Sequence, residues 1–226
     1  MSARVEQVAA NLWRWTTPHP LWREGYDDHD GGWPRDVASH LYVSDGTATI
    51  FDPQAGVDDP ELWAFLDERA GDAERVVIAL TASWHLRSSA AVIARCGGVI
   101  RLHRFAANDT VMHAVEPVHP FDADGEVAPG VEALLIGGYD SGEVVYWLAE
   151  HHALVSGEVF QGRPDGLRIG PDPYLVSHDA LYAWIHHLDR LPVTLVLPAH
   201  GPPADDGPDV IRRALERPPW TLRGSG

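Results

Sequence analysis

Apolar residues recur in two rhythms along this chain. Short runs with the alternation and residue types of strands, at 41–43, 47–51, 76–80 and 99–102, are separated by stretches whose apolar positions fall at helical spacing. The clearest helix is predicted over 60–70. Asp59 can cap it, Pro60 suits its first turn, Leu62, Phe65 and Leu66 form its stripe, and Gly71 ends it. A second helix is predicted from Ser88 or Ser89 to Gly97. The rhythm then changes: strands at 131–136, 144–148 and 153–155 follow one another as a meander, the last two joined at the polar turn Glu150-His151-His152. Leu181, Tyr182, Trp184, Ile185 and Leu188 mark a helix over 178–188, followed by Pro192, a very apolar strand at 193–197 and a final helix near 210–217. The stretches 27–34 and 162–173, rich in Pro, Gly and Asp, are read as long loops that frame a site. No repeat is visible, and the pattern is that of mixed α/β structure in one domain, 1–226.

Composition narrows the function. With 226 residues, 45% of them hydrophobic and nine tryptophans, the chain can bury a substantial core. A net charge of −16 without a Lys/Arg-rich run disfavours nucleic acid and anionic lipid as partners. No apolar run approaches membrane-spanning length, and residues 1–15 lack a basic start followed by an apolar stretch, so a cytoplasmic protein is expected. Cys96 is the only cysteine, which excludes intrachain disulfides and cysteine-based zinc clusters.

The chain carries no dinucleotide fingerprint, phosphate loop, G-x-S-x-G elbow or H-E-x-x-H. What it does carry is polar residues just after predicted strands, where open α/β architectures place ligands. Asp52-Pro53 follows the strand 47–51, and Thr81-Ala82-Ser83-Trp84-His85-Leu86-Arg87 follows 76–80. Gly137-Gly138-Tyr139-Asp140-Ser141-Gly142 precedes the meander that ends in Ser156-Gly157-Glu158, and Pro198-Ala199-His200-Gly201 follows the last strand.

In that order the segments resemble the metallo-β-lactamase superfamily: an early strand ending in Asp, a strand–T-H-x-H-x-D-H–helix unit, a G-H-T-x-G turn, a G-D turn and a late G-H turn. The resemblance spans nearly the whole chain. It implies a four-layer αββα sandwich with one or two zinc or iron ions at one edge of the sheets, where a metal-bound hydroxide attacks the substrate. Aligned on Thr81, however, Ala82, Trp84, Leu86 and Arg87 stand where the family has His, His, Asp and His, and Tyr139 stands at another ligand position. Glu158 matches the bridging Asp and His200 the last His, so two of seven positions keep a possible ligand.

Two readings follow. His85, Glu158 and His200 could together hold one zinc or iron ion and activate water, if His85 points inward. Against this, His85 is one position off the family spacing, which on an extended loop turns a side chain away. Arg87 also brings a positive charge. Two unit charges 4 Å apart interact by about 4 kcal/mol at an effective dielectric of 20, and a divalent ion roughly doubles the repulsion. The favoured reading therefore has no metal cofactor: Arg87 substitutes for the ion and pairs with Glu158, with Tyr139 and His200 completing the cluster.

Other polar residues have plainer explanations. His151, His152, His186 and His187 are expected at the surface, and His19 and His40 in packing or loop hydrogen bonds. Asp52 either accepts a hydrogen bond from the 85–87 loop or only forms a turn, Asp140 can order its own turn, and Trp84 fills the volume of a lost metal shell or lines the pocket. The leading expectation is a hydrolase-lineage protein with an eroded metal site that binds an unidentified small molecule or has a regulatory role. The alternatives are a mononuclear hydrolase and a homo-oligomeric scaffold that uses an exposed Trp-rich face.

Overall fold

A computed structural model describes residues 3–25, 34–56, 58–108, 117–139, 141–170, 175–188 and 190–217. Asp140 and most of the 27–34 stretch lie outside these. Fourteen strands and five helices fall in the described residues. The first sheet holds β1 (Arg4–Ala9), β2 (Leu12–Pro18), β3 (Asp36–Ser44), β4 (Thr47–Phe51), β5 (Arg75–Ala79), β6 (Val99–His103) and β7 (Val118–Phe121) in chain order. Its first four strands are antiparallel neighbours, and β4 to β7 run parallel. Parallel neighbours need crossovers. These are α1 (Pro60–Ala70), α2 (Ser89–Cys96) and the short α3 (Arg104–Ala107).

The second sheet has the order β14–β11–β10–β9–β8, built from β8 (Gly125–Ala128), β9 (Val131–Leu135), β10 (Val144–Leu148), β11 (Ala153–Gly157) and β14 (Leu195–Pro198). Its meander is antiparallel, while β14 joins β11 in parallel after α4 (His178–Leu188). Helix α5 (Val210–Leu215) follows.

Alternation within strands creates three cores and so four layers. Ala48, Ile50, Ile78 and Leu80 face outward with Trp13 and Trp15 onto Leu62 and Leu66 of α1. Phe51, Val77 and Ala79 face inward, against Val144, Tyr146 and Val155 of the second sheet. The other face of that sheet, with Val145, Trp147 and Leu154, packs on Leu181 and Ile185 of α4 and on Val210 and Ile211 of α5. This is the αββα sandwich the sequence suggested. Strands β4 and β10 are buried on both faces, which is why they read as continuous apolar runs.

The predicted helix 60–70 has these bounds in the structure, with Asp59 accepting from Leu62 N at 3.1 Å as its cap. Two expectations need correction. The 162–173 stretch is not all loop, because β12 (Phe160–Arg163) pairs with β13 (Gly166–Ile169) as a two-stranded hairpin. Its Pro164-Asp165 turn and glycines masked the signal: Phe160, Leu167 and Ile169 are buried. The exposed Trp-rich face is also not presented by the described residues. Trp13, Trp15 and Trp147 are buried, and Trp22, Trp63, Trp84 and Trp184 are half-buried. No described helix is long and apolar enough to cross a membrane.

Candidate functional site

The polar segments converge at one edge of the sandwich, at the C-terminal ends of β4, β5, β11 and β14. Backbone hydrogen bonds tie the two sheets together there, Val144 N donating to Thr81 O at 3.0 Å and Ala38 N to Ala199 O at 2.8 Å, while Ala199 N extends the β11–β14 pairing by donating to Gly157 O at 2.9 Å. Gly157 has φ +53, and a Cβ there would lie 2.6 Å from Thr81 Oγ1, so glycine is what allows β11 to approach β5.

Asp52, buried just past β4, accepts from Thr81 N at 2.8 Å and Thr81 Oγ1 at 2.7 Å, and lies 3.0 Å from His85 Nδ1. Of the two roles weighed for it, contact with the 81–87 segment is the one the geometry displays. Thr81 Oγ1 is 2.8 Å from His85 Nδ1. Its single proton goes to Asp52, so it can only accept from His85, which requires a proton on Nδ1. His85 Nε2 lies 3.1 Å from Glu158 Oε1. A carboxylate there also demands a donor, so the imidazole carries both protons and is a cation between two carboxylates. The electrostatics agree. Burial and the Arg87 charge oppose protonation of His85, yet Asp52 and Glu158 outweigh them and raise its pKa above 6.5.

Glu158 is the hub of the cluster. Oε1 is also 3.2 Å from His200 Nε2, and Oε2 accepts from Gln161 Nε2 at 2.9 Å. Burial would raise its pKa, but His200 and His85 hold it well below the usual carboxylate range. Asp52 likewise stays below its ordinary value: burial acts against ionisation, and His85, Arg87 and Thr81 prevail. Behind Glu158 lies a cavity of about 10 Å³, enough for one water, lined by Thr81, Glu143 and Ser156 among others.

His85 points into the site, contrary to the parity argument, because residues Ser83–Leu86 form a 3-10 turn and not an extended loop. The period of two does not apply there. Arg87 is not bonded to Glu158 as expected. Its Nη1 donates to Asp52 O at 3.2 Å and Ala38 O at 3.3 Å, from a backbone at φ 40, ψ −116 that a non-glycine residue rarely adopts. Glu158 already has three donors of its own. Tyr139 pairs with Leu175 in an isolated bridge and packs on the α4-side core. Trp84 stands edge-on to His85, with ring centroids 6.0 Å apart.

Sequence reasoning missed Gln161, Thr81 as a hydrogen-bonding group, and His19. Gln161 is three residues past Glu158, and recognising the β12 hairpin was the step that could have turned it back toward the site. His19 follows β2, and burial first, then the charges of Arg87, His200 and His85, push it down to about 4 against the opposing pull of Glu158. His40 is buried on β3 and is pushed down to about 3 by burial and the Arg14 charge. Among the described residues, no group of three or more His, Cys, Asp or Glu has an arrangement that could hold a metal ion.

No protein-family model matches the chain, and no curated protein sequence does. Solved structures do match. The metallo-beta-lactamase from Pontibacter korlensis superposes with a TM-score of 0.72 at 17% identity, over 95% of this chain and 98% of that one. The DIM-1 metallo-beta-lactamase gives 0.71 at 16% identity over 96% of each chain. A metallo-beta-lactamase family protein from Thermus thermophilus gives 0.62 at 17% identity, over 93% and 78%. The two-sheet sandwich is thus a recognised architecture. This chain has the metallo-β-lactamase fold.

Proposed function

We propose that this protein uses the metallo-β-lactamase fold without a resident metal ion and binds a small polar molecule in the cleft above Glu158. The observation that carries this reading is the placement of the Glu158 carboxylate. Its Oε1 sits 3.1 and 3.2 Å from His85 and His200, and its Oε2 is 2.9 Å from Gln161. The groups that would serve as ligands are hydrogen-bonded to one another, and the His85 imidazolium and Arg87 guanidinium provide the positive charge an ion would bring. Zinc requires neutral imidazole. A His85 cation between Asp52 and Glu158 fits that requirement poorly, so no catalytic step is assigned to a metal here.

Purification from medium supplemented with zinc, iron and manganese, followed by elemental analysis, tests this reading. It expects far less than one ion per chain. One feature favours a second reading, a mononuclear hydrolase: Asp52 stands behind His85 as carboxylates stand behind metal-bound histidines. That reading expects about one ion per chain, lost in His200→Ala.

A further inference from the structure

We propose that Arg87 anchors an oxyanion subsite, receiving the carboxylate or phosphate group of the molecule that enters the cleft. The inference rests on the metal-free reading above and adds the ligand class. Arg87 is half-buried, and among the described residues it has no carboxylate within 4.0 Å. Only Nη1 is engaged, on the carbonyls of Ala38 and Asp52, at 3.3 and 3.2 Å. The described residues give Nε and Nη2 no hydrogen bond, and neither atom is sealed from the surface. These two nitrogens form the edge of the guanidinium fork that takes a planar carboxylate or a phosphate through two parallel hydrogen bonds.

Asp52 and Glu158 act on this charge through space, and neither carboxylate is bonded to it directly. Glu158 is matched by His85, His200 and Gln161, and Asp52 by His85 and Thr81. A half-buried cation beside carboxylates that are already committed is complementary to an anion brought from outside. Arg87 also adopts φ 40 with ψ −116, and Asp52, whose carbonyl it holds, has φ 47. Non-glycine residues with such backbone angles are strained and persist where surrounding contacts over-determine them. Here the two Nη1 hydrogen bonds hold the guanidinium against the carbonyls of Ala38 and Asp52.

The test uses the full chain labelled with 15N and treated with a chelator, and follows the Arg87 Nε–H resonance, assigned by side-chain correlation and by its loss in Arg87→Lys. Acetate and inorganic phosphate are titrated at constant ionic strength against chloride. A saturable shift of the Arg87 signal, with the other arginine signals unmoved, supports the subsite. Stronger acetate binding assigns a carboxylate ligand, and stronger phosphate binding a phosphate ligand. Arg87→Gln should weaken either anion by at least about tenfold, read from the Ala38 and His19 amides. Absence of a saturable shift in the metal-free wild type overturns the subsite and leaves the metal-free reading standing. A shift that appears only before chelation overturns both, because an ion would then be holding the anion. The wild-type resonance decides the matter even if the glutamine variant does not fold.

Discussion

Replacing Asp52 with asparagine removes the charge that keeps His85 an imidazolium. In the wild type this carboxylate accepts two hydrogen bonds from Thr81, at 2.8 and 2.7 Å, and lies 3.0 Å from His85 Nδ1, with both side chains at most 3% exposed. Taking one partner from a buried charged pair costs about 3–5 kcal/mol, and because His85 can release its proton the loss should lie near about 3 kcal/mol. Urea unfolding followed by tryptophan fluorescence measures it. The pH dependence carries a sign. The folded pKa of His85 is raised above 6.5, so its contribution is complete below pH 6.5 and disappears as pH rises through the folded value. Asp52→Asn should therefore differ most from wild type on the acid side of that window and least on the alkaline side. A loss under about 1 kcal/mol near pH 6, or a gap that widens with rising pH, would refute the Asp52–His85–Glu158 line.

Further outcomes follow from the same geometry. His40, pushed down to about 3, is neutral in the fold and gains a proton on unfolding below pH 6.5, so its contribution is complete above pH 6.5 and is lost as pH falls from there toward about 3. At pH 5 this amounts to about 2 kcal/mol, and His40→Gln should flatten the profile between pH 7 and 5; parallel profiles would contradict it. Gly157→Ala puts a Cβ 2.6 Å from Thr81 Oγ1 at a positive φ, and should cost clearly more than Gly97→Ala, where φ is +73 and the space is open. The second change should cost only about 1–2 kcal/mol, and equal melting temperatures for the two variants would count against the tight β5–β11 approach. Trp15→Phe deletes the 2.8 Å bond to the Gln54 carbonyl and leaves that buried acceptor unpaired, a loss of about 1–3 kcal/mol by urea unfolding.

Much of the fold was legible in the sequence because helix signals and doubly buried strands are local. Asp59, Pro60 and Gly71 bracket α1, and the buried runs of β4 and β10 need no partner to be recognised. Strands β1 and β2 were not seen. Trp13, Arg14 and Trp15 alternate between an outer face and an inter-sheet face, where Arg14 is buried through Glu6 and the Gly201 carbonyl, a partner 187 residues away. The four residues that match or neighbour the family motif, Asp52, His85, Glu158 and His200, were found from their places after strands. Their hydrogen-bond order was not, since it depends on the 3-10 turn at Ser83–Leu86 and on the left-handed backbone at Arg87. Gln161 was hidden by the misread hairpin, and His19 by its distance along the chain from every other site residue.

The proposed reading holds the cluster around Glu158 together with protons alone, and the alternative places one ion there. Elemental analysis of the full-length protein, purified from metal-supplemented culture and repeated for His200→Ala, decides between the two. Wild type and variant alike should carry far less than one equivalent of zinc, iron or manganese. About one ion per wild-type chain, absent from the variant, would show instead that these residues are metal ligands.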